Sequence, residues 1–314
     1  MAHQLALPSL AALITPTPAF AHPFERHFAR LLDSYRLRWS YEPTTFLLSR
    51  RPDGSLEECF TPDFYLPDLA TYVELTSMRQ PLVTRKHRKL RRFQLASPGT
   101  RVVMLYRRDY HRLLSAWSRA PVVAGVAPGQ IPTGARLLYA DQRLNEHLGR
   151  LAWNLGERYA ALGEEPLLIG LGVGGGQVAR DLAERLVRSG SSPTVESLLL
   201  DDQAGRPARL GRDGTVSLTG RVVTLVTTMV STGLTTTFAA GWLRRRGTAA
   251  IDVCALLDRA SARVVSIPFR YEPLAAPVEH LIGFGLEHRR QYRHLPSIAV
   301  LDTPYDGPLL SGPA

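Results

Sequence analysis

The sequence predicts an α/β protein in which a smaller α/β domain precedes a parallel sheet with flanking helices. A chain of 314 residues is long enough for two domains that each bury a hydrophobic core. In the second half, the continuous apolar runs 167–171, 222–226 and 249–257 are typical of buried parallel strands, and helical patterns lie between them. In the first half, the patterns predict the element order α-β-β-β-α-β.

The composition is typical of a globular protein, with 45% hydrophobic and 21% charged residues. No apolar run is long enough to span a membrane, so we expect no membrane partner. Cys59 and Cys254 are too few and too distant for a disulfide framework, which favours a reducing compartment. Residues 1–21 are apolar like a signal peptide, but they lack a basic start and Pro8 interrupts them. We therefore expect a flexible leader and a cytoplasmic location rather than export.

The positive charge is concentrated in one segment. The net charge of the chain is +10, and residues 79–112 contain 11 Lys and Arg residues and one Asp, which accounts for all of it. Such pooling predicts an anionic partner at this segment, and nucleic acid is the partner we favour. The alternative is a solvated helix face in a protein that uses Arg freely.

The first domain begins with an amphipathic helix, because apolar residues recur at helical spacing from Phe24 to Leu32. The Arg-Pro-Asp-Gly sequence at 51–54 is a turn signal between two strands. The predicted elements are helix 22–35, strands 37–48, 56–65 and 72–75, basic helix 83–95, buried strand 102–106 and closing helix 110–117.

This order, with Pro62-Asp63 on one strand and Glu74-Leu75-Thr76 on the next, resembles the PD-(D/E)XK nuclease superfamily over residues 22–117. The resemblance implies a restriction-endonuclease-like domain in which Asp63 and Glu74 are magnesium ligands. Thr76 stands at the position of the motif's lysine. The alternative interpretation is that both acids are ordinary residues at strand ends.

Two lysines stand out against 36 arginines, and both of them, Lys86 and Lys89, lie on the helix that follows this motif. Arg does not replace an ammonium group well, so their placement points to a role for Lys. In the superfamily the lysine can lie on such a helix. The resemblance thus implies that Asp63, Glu74 and Lys86 are the catalytic residues of a nuclease, whereas the alternative is that the lysines are surface residues.

Residues 118–134, with three prolines, predict a linker to a second domain at 135–305, which a tail follows at 306–314. Asp141 is a candidate N-cap for a long helix with apolar residues Leu144, Leu148, Leu151 and Leu155. A glycine run at 170–176 follows the next strand and opens a helix. It satisfies the G-x-G-x-x-G pattern, with Asp201 and Asp202 after the following strand, so a dinucleotide-binding unit is an alternative.

The chain is organised around residues 220–247. The apolar run 222–226 predicts a buried strand, residues 227–233 predict a loop of small residues, and a helix is expected from about Thr235. Such a loop is a ready anion site, because unpaired N–H groups and the helix dipole both point at it.

This stretch resembles the loop that binds phosphoribosyl pyrophosphate in phosphoribosyltransferases of the hypoxanthine-guanine type. Thr232, Gly233 and Thr235 match the part that holds the 5′-phosphate. Thr227 and Thr228 stand where the family has Glu-Asp, and Ser231 stands where it has the Asp that acts as a base. A threonine hydroxyl makes a neutral hydrogen bond of about 0.5–1.5 kcal/mol where a carboxylate makes a charge-assisted one of about 1.5–3 kcal/mol. Ser231 has no pKa suited to general-base work near neutral pH.

A second match lies at 281–288 and 292–296, followed by a predicted strand at 298–301, and these segments resemble the family's closing motif. The resemblance implies a type I phosphoribosyltransferase-like sheet and assigns roles to the matching positions. The implied phosphoribosyl and pyrophosphate contacts are Val173, Gly174, Thr227, Thr228, Ser231, Thr232, Gly233, Leu234, Thr235 and Arg293. The implied purine contacts are Arg259, His280, Leu281 and Glu287, of which Glu287 would also meet magnesium.

Three functions follow as expectations. The first is transfer of phosphoribose from phosphoribosyl pyrophosphate to a purine with magnesium. The second is a sensor that binds phosphoribosyl pyrophosphate or a purine nucleotide without chemistry. The third is a magnesium nuclease in the first domain that the sensor regulates. For each we expect a homo-oligomer.

Overall fold

The computed structural model describes residues 18–53, 55–76, 80–106, 109, 131–132, 134–201, 209–212, 216–277, 279–287 and 292–301. Most of the predicted leader and linker lie outside these residues, as do the predicted helix 110–117 and the tail. No helix in the described part of the chain is long and apolar enough to cross a membrane.

The first unit is a four-stranded sheet with strand order β1-β4-β5-β6, and a separate hairpin of β2 and β3. Only β5 and β6 run parallel; the other neighbours in both sheets are antiparallel. The predicted strands 37–48 and 56–65 are each divided in two, because Pro43 and Pro62 have no N–H to donate to a sheet. The elements are α1 Pro23–Ser34, β1 Ser40–Tyr41, β2 Phe46–Arg50, β3 Leu56–Phe60, β4 Phe64–Leu66, β5 Thr71–Thr76, α2 Gln80–Ala96 and β6 Arg101–Tyr106.

Helix α1 is confirmed, and its start is fixed by a capping box. The His22 side chain accepts a hydrogen bond from the Phe24 N–H at 3.0 Å, and Glu25 accepts from the His22 N–H at 3.2 Å. Pro23 suits the first helical position because that N–H has no partner in any helix. The buried face includes Phe28 and Leu32, as the spacing predicts.

The second unit contains a six-stranded sheet of order β10-β9-β8-β11-β12-β13 and a small sheet of order β14-β15-β7. All strands of the large sheet are parallel except β10, which pairs antiparallel to β9 at the edge. The elements are β7 Ala135–Tyr139, α3 Asp141–Leu162, β8 Leu167–Leu171, α4 Gly172–Arg188, β9 Thr194–Asp201, β10 Arg209–Arg212, β11 Val222–Val230, α5 Leu234–Arg244, β12 Ala250–Asp258, β13 Leu274–Ala275, β14 His280–Ile282 and β15 Ile298–Leu301.

The two faces of the large sheet are covered differently. Val222 and Val226 of β11 point to one face and pack with α3 and α4. Val223 and Leu225 point to the other face and join a cluster that contains residues of α5, α1, β4 and β5. Parallel sheets need cover on both faces. The first unit thus supplies part of the cover of the second, and a single core spans both.

Polar contacts also join the units. The Tyr35 and Thr235 hydroxyl groups lie 2.7 Å apart, and Arg101 donates to the backbone oxygen of Arg263 at 2.9 Å. Asp109, just after β6, pairs with Arg259, just after β12, at 3.1 Å. All three contacts lie close to the carboxyl ends of β11 and β12.

Candidate functional site

The carboxyl ends of β8, β11 and β12 meet at one edge of the large sheet. Ligands of parallel α/β sheets bind outside this edge. Helix α4 begins there after β8, the loop 231–233 follows β11, and Arg259 follows β12. The predicted site residues of the second domain therefore share one edge.

Strand β11 is longer than the sequence predicts. Thr227 and Thr228 lie on the strand and are buried, and Thr227 pairs with Ala255 of β12. Threonine is a good strand former, which explains why the pairing continues past Val226 to Val230. The loop is therefore only three residues long.

This loop has the geometry of an anion cradle. Gly233 has a φ of +83°, and a Cβ added there would lie 2.6 Å from the Val265 backbone oxygen. The Thr232 hydroxyl accepts a hydrogen bond from the Leu234 N–H at 3.3 Å. The Ser231 hydroxyl is buried without a hydrogen-bond partner among the described residues. Helix α5 begins directly after Gly233, close to the predicted start.

Three separate motifs touch at one point of the edge. A Cβ added to Gly174 would lie 2.6 Å from the Thr228 hydroxyl and 2.9 Å from the Gly285 backbone oxygen. Gly285 itself has a φ of +84°. The Thr228 hydroxyl is buried and has no hydrogen-bond partner within the described structure. The structure therefore brings together the glycine run, the central strand and the closing motif, whereas Val173 is exposed.

The spacing of the glycine run has a packing explanation. A Cβ on Gly170 would lie 2.4 Å from the Gly176 Cα, and one on Gly175 would lie 2.6 Å from the Val226 backbone oxygen. These glycines let the first turn of α4 approach β8 and β11. The glycine spacing therefore has an explanation that does not require dinucleotide binding. Asp202, the acid that the dinucleotide alternative would use, lies outside the described residues.

The predicted pyrophosphate contact and the predicted metal ligand are paired with each other. Arg293 Nε lies 2.5 Å from Glu287 Oε2, and both side chains are largely buried. The Arg293 backbone oxygen accepts from the Gly285 N–H at 2.8 Å, which fixes this segment beside Gly174. Both residues therefore lie close to Gly174, and the roles assigned to them stay predictions.

Arg259 is fully buried, and two of its nitrogens donate hydrogen bonds. Its Nη1 donates to Asp109 Oδ1 at 3.1 Å and its Nη2 donates to the Glu279 backbone oxygen at 2.7 Å. The other predicted purine contacts are nearby: Leu281 is buried, and His280 Nε2 lies 3.2 Å from the backbone oxygen of Glu287.

Two residues at this edge were not predicted from the sequence. Arg263 pairs with Asp258 and lies against Gly233, and burial, followed by the charge of Arg101, lowers the pKa of Arg263 to about 10. Asp109 had one visible signal, because it is the single acid within the basic segment 79–112. Arg263 had none, since the segment after β12 shows no regular pattern.

The first unit brings Asp63, Glu74 and Lys86 together. Lys86 Nζ lies 2.5 Å from Glu74 Oε1 and donates to the Leu75 backbone oxygen at 2.7 Å. The Leu75 N–H donates to Asp63 Oδ2 at 2.6 Å. Glu74 Oε2 is buried without a hydrogen-bond partner among the described residues. Thr76, at the motif's lysine position, is also buried.

Burial dominates the electrostatics of this pair. It raises the pKa of Asp63 to about 7, with the charge of Glu74 as the next cause, and it raises the pKa of Glu74 although Lys86 opposes the shift. Two adjacent carboxylates with an unpaired oxygen fit a magnesium ion that keeps several waters. Groups of three or more His, Cys, Asp or Glu residues at metal-binding distance are absent from the described part of the chain.

Part of the basic segment forms a polar surface on α2. Arg88 and Arg91 are exposed, and Arg92 pairs with Glu58 at 2.6 Å. Lys86 and Lys89 are half-buried. The side chains of residues 80–85 lie outside the described set.

Comparison with known proteins agrees with this geometry. No protein-family model matches the chain. A hypoxanthine-guanine phosphoribosyltransferase of Streptococcus pneumoniae is 27% identical over 171 residues, which are 53% of this chain and 92% of that protein. A hypoxanthine phosphoribosyltransferase of Escherichia coli is 25% identical over 164 residues, 52% of this chain and 92% of that protein.

About half of the chain is therefore similar to phosphoribosyltransferases of the hypoxanthine-guanine type. The solved hypoxanthine phosphoribosyltransferase of Trypanosoma cruzi shares this fold, with a TM-score of 0.51, 23% identity, and coverage of 55% of this chain and 94% of that one. The predicted type I fold of this domain is confirmed. The nuclease-like assignment of the first unit stays a prediction.

The raised pKa of Asp63 has a consequence for stability. Because the folded-state pKa of about 7 lies above the ordinary value of 3.8, the folded protein holds a proton that the unfolded chain has lost. Stability from this group is complete below about pH 4 and is lost as the pH rises through 7. We expect Asp63→Asn to gain stability relative to wild type between pH 5 and pH 8, by on the order of a few kcal/mol.

Urea unfolding with EDTA present measures this gain without interference from a bound cation. Asp68→Asn is the matched control, because Asp68 is exposed and Arg38 holds its pKa below the ordinary value. The control should show no gain over the same range. Parallel pH profiles for wild type and Asp63→Asn would contradict the assignment.

Proposed function

We propose that the phosphoribosyltransferase domain binds a phosphoribosyl ligand, phosphoribosyl pyrophosphate or the phosphoribosyl part of a purine nucleotide, at the carboxyl edge of its sheet. The observation that carries this proposal is the meeting of Gly174, Thr228 and Gly285 beside the loop 231–233. Three motifs far apart in sequence converge there, and the domain's relatives are named for the same ligand class.

The loop 231–233 and the start of α5 supply hydrogen-bond donors for the 5′-phosphate. The first N–H groups of an 11-residue helix have no partner inside the helix, and the helix dipole adds a partial positive charge. The Ser231 and Thr228 hydroxyl groups, which are buried and have no hydrogen-bond partner among the described residues, would add donors toward the ligand. A phosphate in the loop would accept hydrogen bonds from these N–H groups.

The first turn of α4 offers a second set of N–H groups near Gly174, on the side where a pyrophosphate would lie. Arg293 would contact the pyrophosphate, and Glu287 is the carboxylate that would meet a magnesium ion held by it. Magnesium, when bound, neutralises the charge that builds up on the departing pyrophosphate.

Binding rather than turnover is what these side chains favour. Thr227 and Thr228 offer neutral hydrogen bonds to the ribose, which are weaker than those of carboxylates. Ser231 does not accept a proton near neutral pH. Transfer to a purine would therefore proceed without the positioned charges that lower such barriers.

A glycine substitution tests the loop. Gly233→Ala places a Cβ 2.6 Å from the Val265 backbone oxygen, so the loop must shift. We expect calorimetry with phosphoribosyl pyrophosphate and magnesium to show at least tenfold weaker binding than wild type.

Gly220→Ala is the matched control for this test. Gly220 also has a positive φ, of +71°, but a Cβ there meets nothing within 4 Å. It carries the same backbone strain away from the loop, and its affinity should stay within about threefold of wild type. Equal affinities for the two variants would reject the loop as the phosphate site.

A magnesium-dependent nuclease in the first unit is the second candidate, favoured by the cluster of Asp63, Glu74 and Lys86. Asp63 and Glu74 would hold the metal, and the Lys86 ammonium would stabilise charge on the phosphate or its attacking water. The exposed Arg88 and Arg91 of α2 lie on the same helix as Lys86 and would contact a nucleic-acid backbone.

Cleavage of plasmid DNA and of single-stranded RNA with magnesium tests this candidate. We expect Asp63→Asn to abolish cleavage because one metal ligand is lost, whereas Asp68→Asn, at the exposed pair with Arg38, retains wild-type activity. Cleavage by Asp63→Asn at the wild-type rate would mean that the activity has another source.

A further inference from the structure

A carboxylate of the first unit reaches the ligand edge of the second. Asp109 follows β6, and its Oδ1 accepts from Arg259 at 3.1 Å; the two side chains are 1% and 0% exposed. The second oxygen, Oδ2, accepts from the Tyr106 N–H at 3.1 Å. Both oxygens are thus held, and the carboxylate has a fixed position.

The position of this pair along the edge is set by the strand order. The loop 231–233 follows β11, whose neighbours are β8 on one side and β12 on the other. Arg259 lies at the end of β12, where its N–H donates to the Val230 backbone oxygen at 2.8 Å and its guanidinium donates to the backbone of Glu279, just before β14. Asp109 therefore lies on the β12 side of the loop.

The two sides offer different chemistry to a ligand whose phosphate occupies the loop. On the β8 side, the N–H groups that open α4 favour a second anionic group. On the β12 side, the Arg259 guanidinium is the charged donor that a neutral ring with carbonyl groups would need. Arg259 is fully buried, and its two terminal nitrogens already donate to Asp109 and to the Glu279 backbone oxygen.

A base that bound on the β12 side would gain no favourable hydrogen bond there. Displacing Asp109 from Arg259 would leave a buried carboxylate without its counter-ion, which is strongly unfavourable. Leaving it in place would set a ring carbonyl, a hydrogen-bond acceptor, against a carboxylate, which is also an acceptor. Neither arrangement favours the binding of a base.

We propose that Asp109 closes the β12 side of the proposed ligand site, so that the site takes ribose phosphates without a base, such as ribose 5-phosphate and phosphoribosyl pyrophosphate, in preference to purine nucleotides. This inference depends on the proposed phosphoribosyl binding and specifies its ligand class. Asp109 acts here through its hold on Arg259 and is a specificity-determining residue.

Calorimetry on the full chain, with magnesium, tests the ligand class directly. The probes are ribose 5-phosphate, phosphoribosyl pyrophosphate, inosine monophosphate and guanosine monophosphate. We expect both nucleotides to bind no tighter than ribose 5-phosphate. Nucleotides that bind more than tenfold tighter would overturn the inference and leave the proposed function intact. Absence of binding by all four probes would reject the proposed function itself.

Variants at Asp109 test the cause. Asp109→Ala releases Arg259 and should raise the affinity for inosine monophosphate, relative to ribose 5-phosphate, at least tenfold. Asp109→Asn keeps the volume and an oxygen that can accept from Arg259, so it is the milder change, and its amide N–H can donate to a ring carbonyl; it should raise the same ratio more than threefold. Asp33→Asn, an exposed acid of α1, should leave the ratio unchanged. A ratio that changes in neither Asp109 variant would overturn the inference.

Discussion

The buried charge pair of Asp109 and Arg259 is the interaction on which the arrangement of the two units depends. Two ions without solvent contact must face each other, because either one alone in the interior is strongly destabilising. The pair therefore fixes the end of β6 against the end of β12. With the units held this way, residues of α1 can cover the face of the large sheet that α3 and α4 leave open. The proposed ligand site and the contact between the units consequently share the same edge.

Close backbone approach is the second constraint, and it shapes the ligand site. Gly174, Thr228 and Gly285 come so near each other that a side chain on either glycine would collide with its neighbours. The site is thus formed mainly by backbone groups and short hydroxyl side chains. This arrangement agrees with the proposed phosphate binding, although Thr227, Thr228 and Ser231 stand where the resemblance expects acids. Geometry for binding is separable from the charges needed for transfer.

The sequence predicts local features well where one physical signal dominates. The apolar spacing of α3 is confirmed, since Leu144, Leu148, Leu151 and Leu155 are all buried, and β15 has the predicted bounds. The predicted end of β11 was wrong by four residues, because strand pairing with β12 outweighs the small-residue pattern. The pairing of Asp109 with Arg259 could not be predicted from the sequence, because no local pattern indicates a contact between residues that are 150 positions apart.

The central claim, that the domain binds a phosphoribosyl ligand without efficient transfer, is tested most directly by a product assay. Wild-type protein is incubated with magnesium, phosphoribosyl pyrophosphate and labelled hypoxanthine or guanine, and the labelled species are separated. We predict that phosphoribosyl pyrophosphate binds in calorimetry while the label stays in the free base. Labelled nucleoside monophosphate that forms with wild type and disappears with Arg293→Ala would contradict it, and would show that hydroxyl groups suffice where the family uses carboxylates.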